Sequence, residues 1–132
     1  MDPLHIKIRD AEFPTPIFVA SGTFGYGQEA ADLVDLTGLG AIITKSIGPQ
    51  PRIGNPPPRL FETTVGLLNS IGLQNVGVKN FVAEKLPFLR TLGVPIIVNI
   101  AGRTIDEFAE VANLLEEHDG IIGYELNFSC PN

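Results

Sequence analysis

The chain has 132 residues, 44% of them hydrophobic and 18% charged, enough to bury the core of one globular unit and too ordinary to name a function. Fifteen acidic residues against nine scattered basic ones give a formal charge of −6, which argues against a nucleic-acid partner, and the single cysteine permits neither an intrachain disulfide nor a zinc cage of its own. No apolar run reaches the ~18 residues of a membrane span, and the opening MDPLHIKIRD lacks the charged-then-apolar layout of an export signal, so the expectation is a cytoplasmic chain with no membrane partner.

From Pro16 onward, short apolar runs alternate with amphipathic ones, the pattern of βα units around a parallel sheet. Strands are predicted at 17–20 (IFVA), 38–44 (GLGAIIT), 94–99 (VPIIVN) and 121–127 (IIGYELN), each near-continuously apolar, as when both faces are covered. A first helix over about 28–36 would bury Ala30, Leu33 and Val34. A second, over 78–92, carries Pro87 in its interior, which predicts a kink or break at Leu86. The third starts at Thr104, where Thr-Ile-Asp-Glu reads as a capping box, places Ile105, Phe108, Ala112 and Leu115 on one face, and stops at Gly120.

The stretch from Lys45 to Asn75 does not fit this alternation and is roughly twice the length at which a structureless loop becomes suspicious in a compact domain. Its five prolines would suit a stiff linker, whereas the closing NSIGLQN is neither flexible nor strongly charged, so linker and site both stay open. Element order fits either the first half of a (β/α)₈ barrel or an open doubly wound sheet. A barrel usually needs about 250 residues, so on that reading the sequence is roughly half of one, with two open sheet edges.

Ligands of parallel α/β folds bind at the carboxyl ends of strands, and here those ends are polar: Ser21 and Gly22, Lys45 and Ser46, Asn99, and Asn127. Polar residues are also simply where loops begin, but hydroxyl, ammonium and carboxamide groups on one rim would orient a planar, hydrogen-bonding ligand with some negative charge. SGTFGYG places Gly22, Gly25 and Gly27 where a backbone approaches a ligand or where a tight turn needs positive φ. Its spacing is not the dinucleotide G-x-G-x-x-G, and Lys45 stands where that fold would want an acid. Cys130, three residues past the fourth strand in NFSCPN, is either an accident of composition or a weak but usable general base, more so beside a cation such as Lys45. Glu125 shares a strand face with Asn127, and pairing with a buried cation is the expectation for it; His5 reads as surface and His118 as charge near a helix end.

Taken in order and at these intervals, SGTFGYG, ITKS, GNPPPR, NSIGLQN, VNIAG and NFSCPN resemble the class 1 dihydroorotate dehydrogenases over essentially the whole chain. The cysteine of NFSCPN points to class 1, since the membrane-associated class carries serine there, and SGTFGYG and GLQN look more like the NAD-linked class 1B than the fumarate-using class 1A. The resemblance implies a TIM barrel of which residues 1–132 are the amino-terminal half, with no second domain. It further implies that Ser21, Lys45, Ser46, Asn99 and Asn127 hold FMN, and that Lys45, Asn69, Ser70, Ile71, Gly72, Leu73 and Asn127 hold dihydroorotate or orotate under the long loop. Cys130 would take a proton from C5 while C6 delivers hydride to flavin N5, giving orotate for pyrimidine biosynthesis.

Class 1B also implies a partner subunit with an iron-sulfur cluster and FAD, and an oligomer for the full-length protein. The barrel's second half, with a further flavin-contacting lysine and the turns that bind the FMN phosphate, is absent from this sequence, so the chain alone is expected to bind FMN poorly and turn over no substrate. Two alternatives accompany this reading. One is a related flavin barrel of pyrimidine reduction, which Lys45→Ala would separate through the carboxylate that uracil lacks. The other is a non-catalytic nucleotide-binding module, which would be indifferent to loss of Cys130.

Overall fold

The computed structural model describes residues 3–130, and its chain opens with a hairpin that the apolar pattern did not announce, β1 (Ile6–Ile8) antiparallel to β2 (Ala11–Phe13). His5, read from sequence as partnerless surface, lies 3.8 Å from the Glu12 carboxylate on this hairpin. The four predicted strands then appear, three of them trimmed and the third, predicted at 94–99, shifted to Ile96–Ile100. They are β3 (Phe18–Val19), β4 (Ala41–Ile43), and, after the long loop and its helices, two more described below. Strand β3 pairs in parallel with β4, Phe18 opposite Ala41.

The first predicted helix shrinks to α1 (Gln28–Ala31), leaving Leu33 82% exposed and Val34 on the surface while Leu36 alone of this stretch enters the core. Side-chain hydrogen bonding competes with helix here: Asp35 Oδ1 accepts from both the amide and the hydroxyl of Thr37, an Asx turn that cannot be accommodated inside a helix.

The 45–75 stretch is neither linker nor structureless loop. It contains a second antiparallel hairpin, β5 (Leu60–Thr63) with β6 (Gly66–Asn69), and its base is closed by a reciprocal pair of main-chain bonds between Arg52 and Asn75. The buried Asn75 side chain then accepts from the amides of Gly48 and Gly77, so both ends of the excursion are tied to one carboxamide.

The helix predicted across 78–92 is continuous in path but not in geometry: α2 (Val78–Asn80), a π segment at Phe81–Lys85, then α3 (Leu86–Thr91). Pro87 has no N–H to donate and its ring collides with the carbonyl four residues back, and the widened π turn ahead of it absorbs that collision without breaking the helix.

Strand β7 (Ile96–Ile100) follows, then α4 (Ile105–Glu116) and β8 (Ile121–Leu126). Thr104 caps α4 as expected, accepting from Glu107 N at 3.2 Å. The reciprocal half of the box is shifted by one residue, since Glu107 Oε2 accepts from Arg103 N at 2.6 Å rather than from the cap's own amide. Ile105 is 87% exposed, not core-facing; Val111 takes its place beside Leu115.

Sheet order is β3-β4-β7-β8, the order of the chain, with every pairing parallel. A doubly wound sheet reverses order at its switch point, and a barrel does not, so the barrel alternative stands and the open one falls. One face of the sheet is covered by the helices. Ile42, Ile96, Val98 and Ile100 meet Phe81, Leu86, Leu89, Val111 and Leu115 there, each burial contributing about 1.5–3 kcal/mol. The carboxyl ends of the strands carry the polar residues that matter next.

Candidate functional site

Three strand ends and the long loop meet at one cavity of about 410 Å³. Ser21 and Gly22 enter it from the end of β3, Lys45 and Ser46 from the end of β4, and Asn127 and Cys130 from the end of β8. Ile71, Leu73 and Gln74 come from the returning limb of the long loop, and Ile71 and Leu73 supply the cavity's apolar side. Gly22 has φ +81 and nothing within 4 Å of where a Cβ would stand, so its backbone is open to a ligand. Lys45 is anchored by its main-chain amide on Gly25 O at 2.8 Å, and its ammonium has no acidic partner among the described residues. Cys130 is exposed and unpaired with any sulfur, so its thiol is not packed into an apolar interior. Pro131 and Asn132 of the NFSCPN run lie outside the described residues.

Beneath the cavity runs a chain of side-chain hydrogen bonds. Asn127 Nδ2 donates to Ser46 Oγ at 3.0 Å, Ser46 Oγ donates to Asn99 Oδ1 at 2.5 Å, and Asn99 Nδ2 donates to Glu125 Oε1 at 2.5 Å. Strand register explains the last contact, since Asn99 on β7 is the cross-strand partner of Glu125 on β8. The partner of Glu125 is therefore a carboxamide and not the cation that the sequence suggested, and no ion pair forms at Glu125 among the described residues. Asn99 is 2% exposed and its main-chain amide donates to Thr44 Oγ1, so it supports the rim from below and does not line the cavity.

The NSIGL segment divides. Ile71 and Leu73 reach the cavity, whereas Asn69 ends β6, Ser70 Oγ accepts from Asn55 Nδ2 at 2.7 Å, and Gly72 turns at φ +78 against Asn55. Leu73 has φ 53, a conformation that costs a β-carbon residue about 1 kcal/mol or more and recurs at ligand sites.

A family model described as dihydroorotate dehydrogenase matches residues 3–132. The chain belongs to the dihydroorotate dehydrogenase family. Among its relatives is the dihydroorotate dehydrogenase B (NAD(+)) catalytic subunit of Thermodesulfovibrio yellowstonii, 51% identical over 132 residues, which are all of this chain and 44% of that protein. The proteins of the same name from Geotalea uraniireducens and Pelobacter propionicus are 50% and 51% identical over 129 residues, 98% of this chain and 42% of each. The chain thus spans under half the length of these dihydroorotate dehydrogenases. A dihydroorotate dehydrogenase from Eimeria tenella, crystallised with ferulenol, superposes with a TM-score of 0.73 over 98% of this chain and 37% of its own, at 22% identity, which establishes the fold as part of that architecture.

Three cavity residues of this dihydroorotate dehydrogenase family member escaped sequence reasoning. Gln74 closes the main cavity, and Arg52 and Arg103 line an adjoining space of about 200 Å³ that shares Leu73, Asn127 and Cys130 with it. Arg103 was within reach of the strand-end rule, since it follows β7 in VNIAGR. Arg52 had no such signal, because only the closed base of the long loop brings it there.

Proposed function

We propose that the complete protein oxidises dihydroorotate to orotate, with a flavin, FMN, as hydride acceptor and Cys130 as base, and that residues 1–132 contribute one flank of a single barrel domain that holds both. The observation that carries this reading is the meeting of Lys45, Ser46, Asn127 and Cys130 at one cavity at the carboxyl ends of parallel strands. The donor set fits such ligands: an ammonium for negative charge, hydroxyls and carboxamides for a ring of alternating N–H and C=O groups, and an open glycine backbone at Gly22. Ser21, Lys45, Ser46 and Asn127 would hold the flavin, with Asn99 acting through Ser46. A flavin bound there supplies the two-electron acceptor.

The rest belongs to this chain's own groups. Lys45 attracts the substrate carboxylate, and nothing acidic among the described residues competes for it. Ile71 and Leu73 cover the apolar side and keep water from the reacting face. The Cys130 thiolate takes a proton from the substrate carbon. A polypeptide of these 132 residues alone is expected to hold flavin poorly and to turn over no substrate, given the share of its relatives that it spans.

The NAD(+) and catalytic-subunit wording in the relatives' names supports electron delivery to a second subunit. That second subunit would carry an iron-sulfur cluster and FAD, and the one cysteine of these 132 residues cannot supply the cluster's four thiolates.

The test is steady-state oxidation of dihydroorotate by the purified complete protein, wild type and Lys45→Ala. We expect wild-type turnover with flavin bound, and in the variant a KM for dihydroorotate higher by about 10- to 100-fold, the worth of one charge-assisted contact. A flavin-free wild-type protein, or one that leaves dihydroorotate unchanged, would overturn the proposal.

A further inference from the structure

We infer that Glu125, which does not line the cavity, is a positioning residue that fixes, through Asn99 and Ser46, which way the Asn127 carboxamide faces, presenting its Oδ1 as an acceptor toward the N–H groups of whatever ring binds there. The inference rests on the proposed reading for the identity of that ring. It does not rest on it for the direction of the bonds.

The direction follows from counting protons. An ionised carboxylate can only accept, so the Asn99 carboxamide must turn its Nδ2 toward Glu125, and that contact is 2.5 Å long. The other end of the same carboxamide, Oδ1, then faces Ser46 as an acceptor. A serine hydroxyl has one hydrogen, and Ser46 gives it to Asn99 at 2.5 Å. With that hydrogen committed, Ser46 Oγ can only accept, and it receives Asn127 Nδ2 at 3.0 Å. Asn127 spends one N–H on this bond, and because its Nδ2 faces Ser46 its Oδ1 is turned the other way. One carboxylate therefore decides, through the Asn99 carboxamide and the Ser46 hydroxyl, which end of the Asn127 carboxamide is left for a ligand.

Two features make the relay rigid. Asn99 is nearly fully buried and pinned at its amide by Thr44, and strand pairing holds Asn99 opposite Glu125. Replacing Glu125 by Gln keeps the shape and removes the constraint, because a carboxamide there can donate as well as accept. The whole chain can then reverse, with Asn99 donating to Ser46 and Ser46 to Asn127 Oδ1. The reversed chain turns Asn127 Nδ2 outward and offers N–H where the ring also offers N–H.

The experiment titrates orotate into the complete, flavin-loaded protein and follows the change in the flavin's visible absorption, with KM and kcat for dihydroorotate measured alongside. For Glu125→Gln we expect a wild-type thermal midpoint and, on flavin-loaded sites, the orotate Kd and the dihydroorotate KM each raised about tenfold, with kcat within about threefold. Glu125→Leu, which removes the acceptor outright, should weaken orotate at least as much, and if it fails to fold the Gln variant still decides. Unchanged Kd and KM in Glu125→Gln would overturn the inference, as would a thermal midpoint that falls in proportion to activity, the mark of a merely structural role. A wild-type protein that binds no orotate would instead remove the functional reading, and this inference with it.

Discussion

Thr44 shows how much of the site is decided by single buried polar atoms. It is fully buried, and its hydroxyl takes the amide hydrogen of Asn99 at 3.2 Å. Thr44→Val keeps the shape and leaves that amide without an acceptor, which should cost about 1–3 kcal/mol, read as a lower urea midpoint with an unchanged slope. A midpoint at the wild-type value would mean that Asn99 is held by other means. Leu73 is the second such residue. Its left-handed backbone is set by the loop's return path, and its side chain lines both cavities at Cys130. No sequence pattern marks a leucine for positive φ.

At the level of elements, the end of α4 is fastened to β8 by one side-chain bond, Tyr124 Oη donating to Glu116 Oε1 at 2.7 Å. Burial, the bond itself and the carboxylate's charge all push the phenol's ionisation above its ordinary value of 10.0. A raised value means that stability from the neutral phenol is fully present below pH 10 and is lost as pH rises beyond it. Tyr124→Phe should therefore cost no more than about 1 kcal/mol near neutrality, and wild type should lose that advantage on passing pH 10, as thermal midpoints at pH 8 and pH 10.5 would reveal. An advantage unchanged at the higher pH would contradict the linkage.

The elements also show what a sequence can and cannot tell. The parallel strands were readable because β-branched runs covered by helices are continuous, and the cap at Thr104 because capping chemistry is local. Both hairpins were not. β5 and β6 are exposed almost throughout, so no burial pattern marks them, and apolar Phe61, Leu67 and Leu68 lie on the surface. Ile105 misled for a related reason: helical period assigns a face, but it does not say whether anything covers that face at the first residue of α4, and there Ile105 is exposed.

For the whole molecule, the strand-end rule located the rim and the topology assembled it. Ser21, Lys45, Ser46, Asn127 and Cys130 are far apart in sequence, and a four-stranded parallel sheet in chain order brings them to one cavity. Asn99 was legible as a strand-end residue but not as a buried support, because its depth depends on Glu125 and Ser46 arriving from other strands. Among the described residues no helix is long and apolar enough to cross a membrane.

The most direct test of the central claim is the anaerobic half-reaction of the complete protein, in which dihydroorotate is mixed with the flavin-loaded form and loss of the flavin's visible band is timed. Wild type should bleach within its turnover time, and Cys130→Ser, with flavin still bound, should bleach at least about 100-fold more slowly near neutral pH. Equal rates in the two proteins would show that the thiol at this rim is not the base.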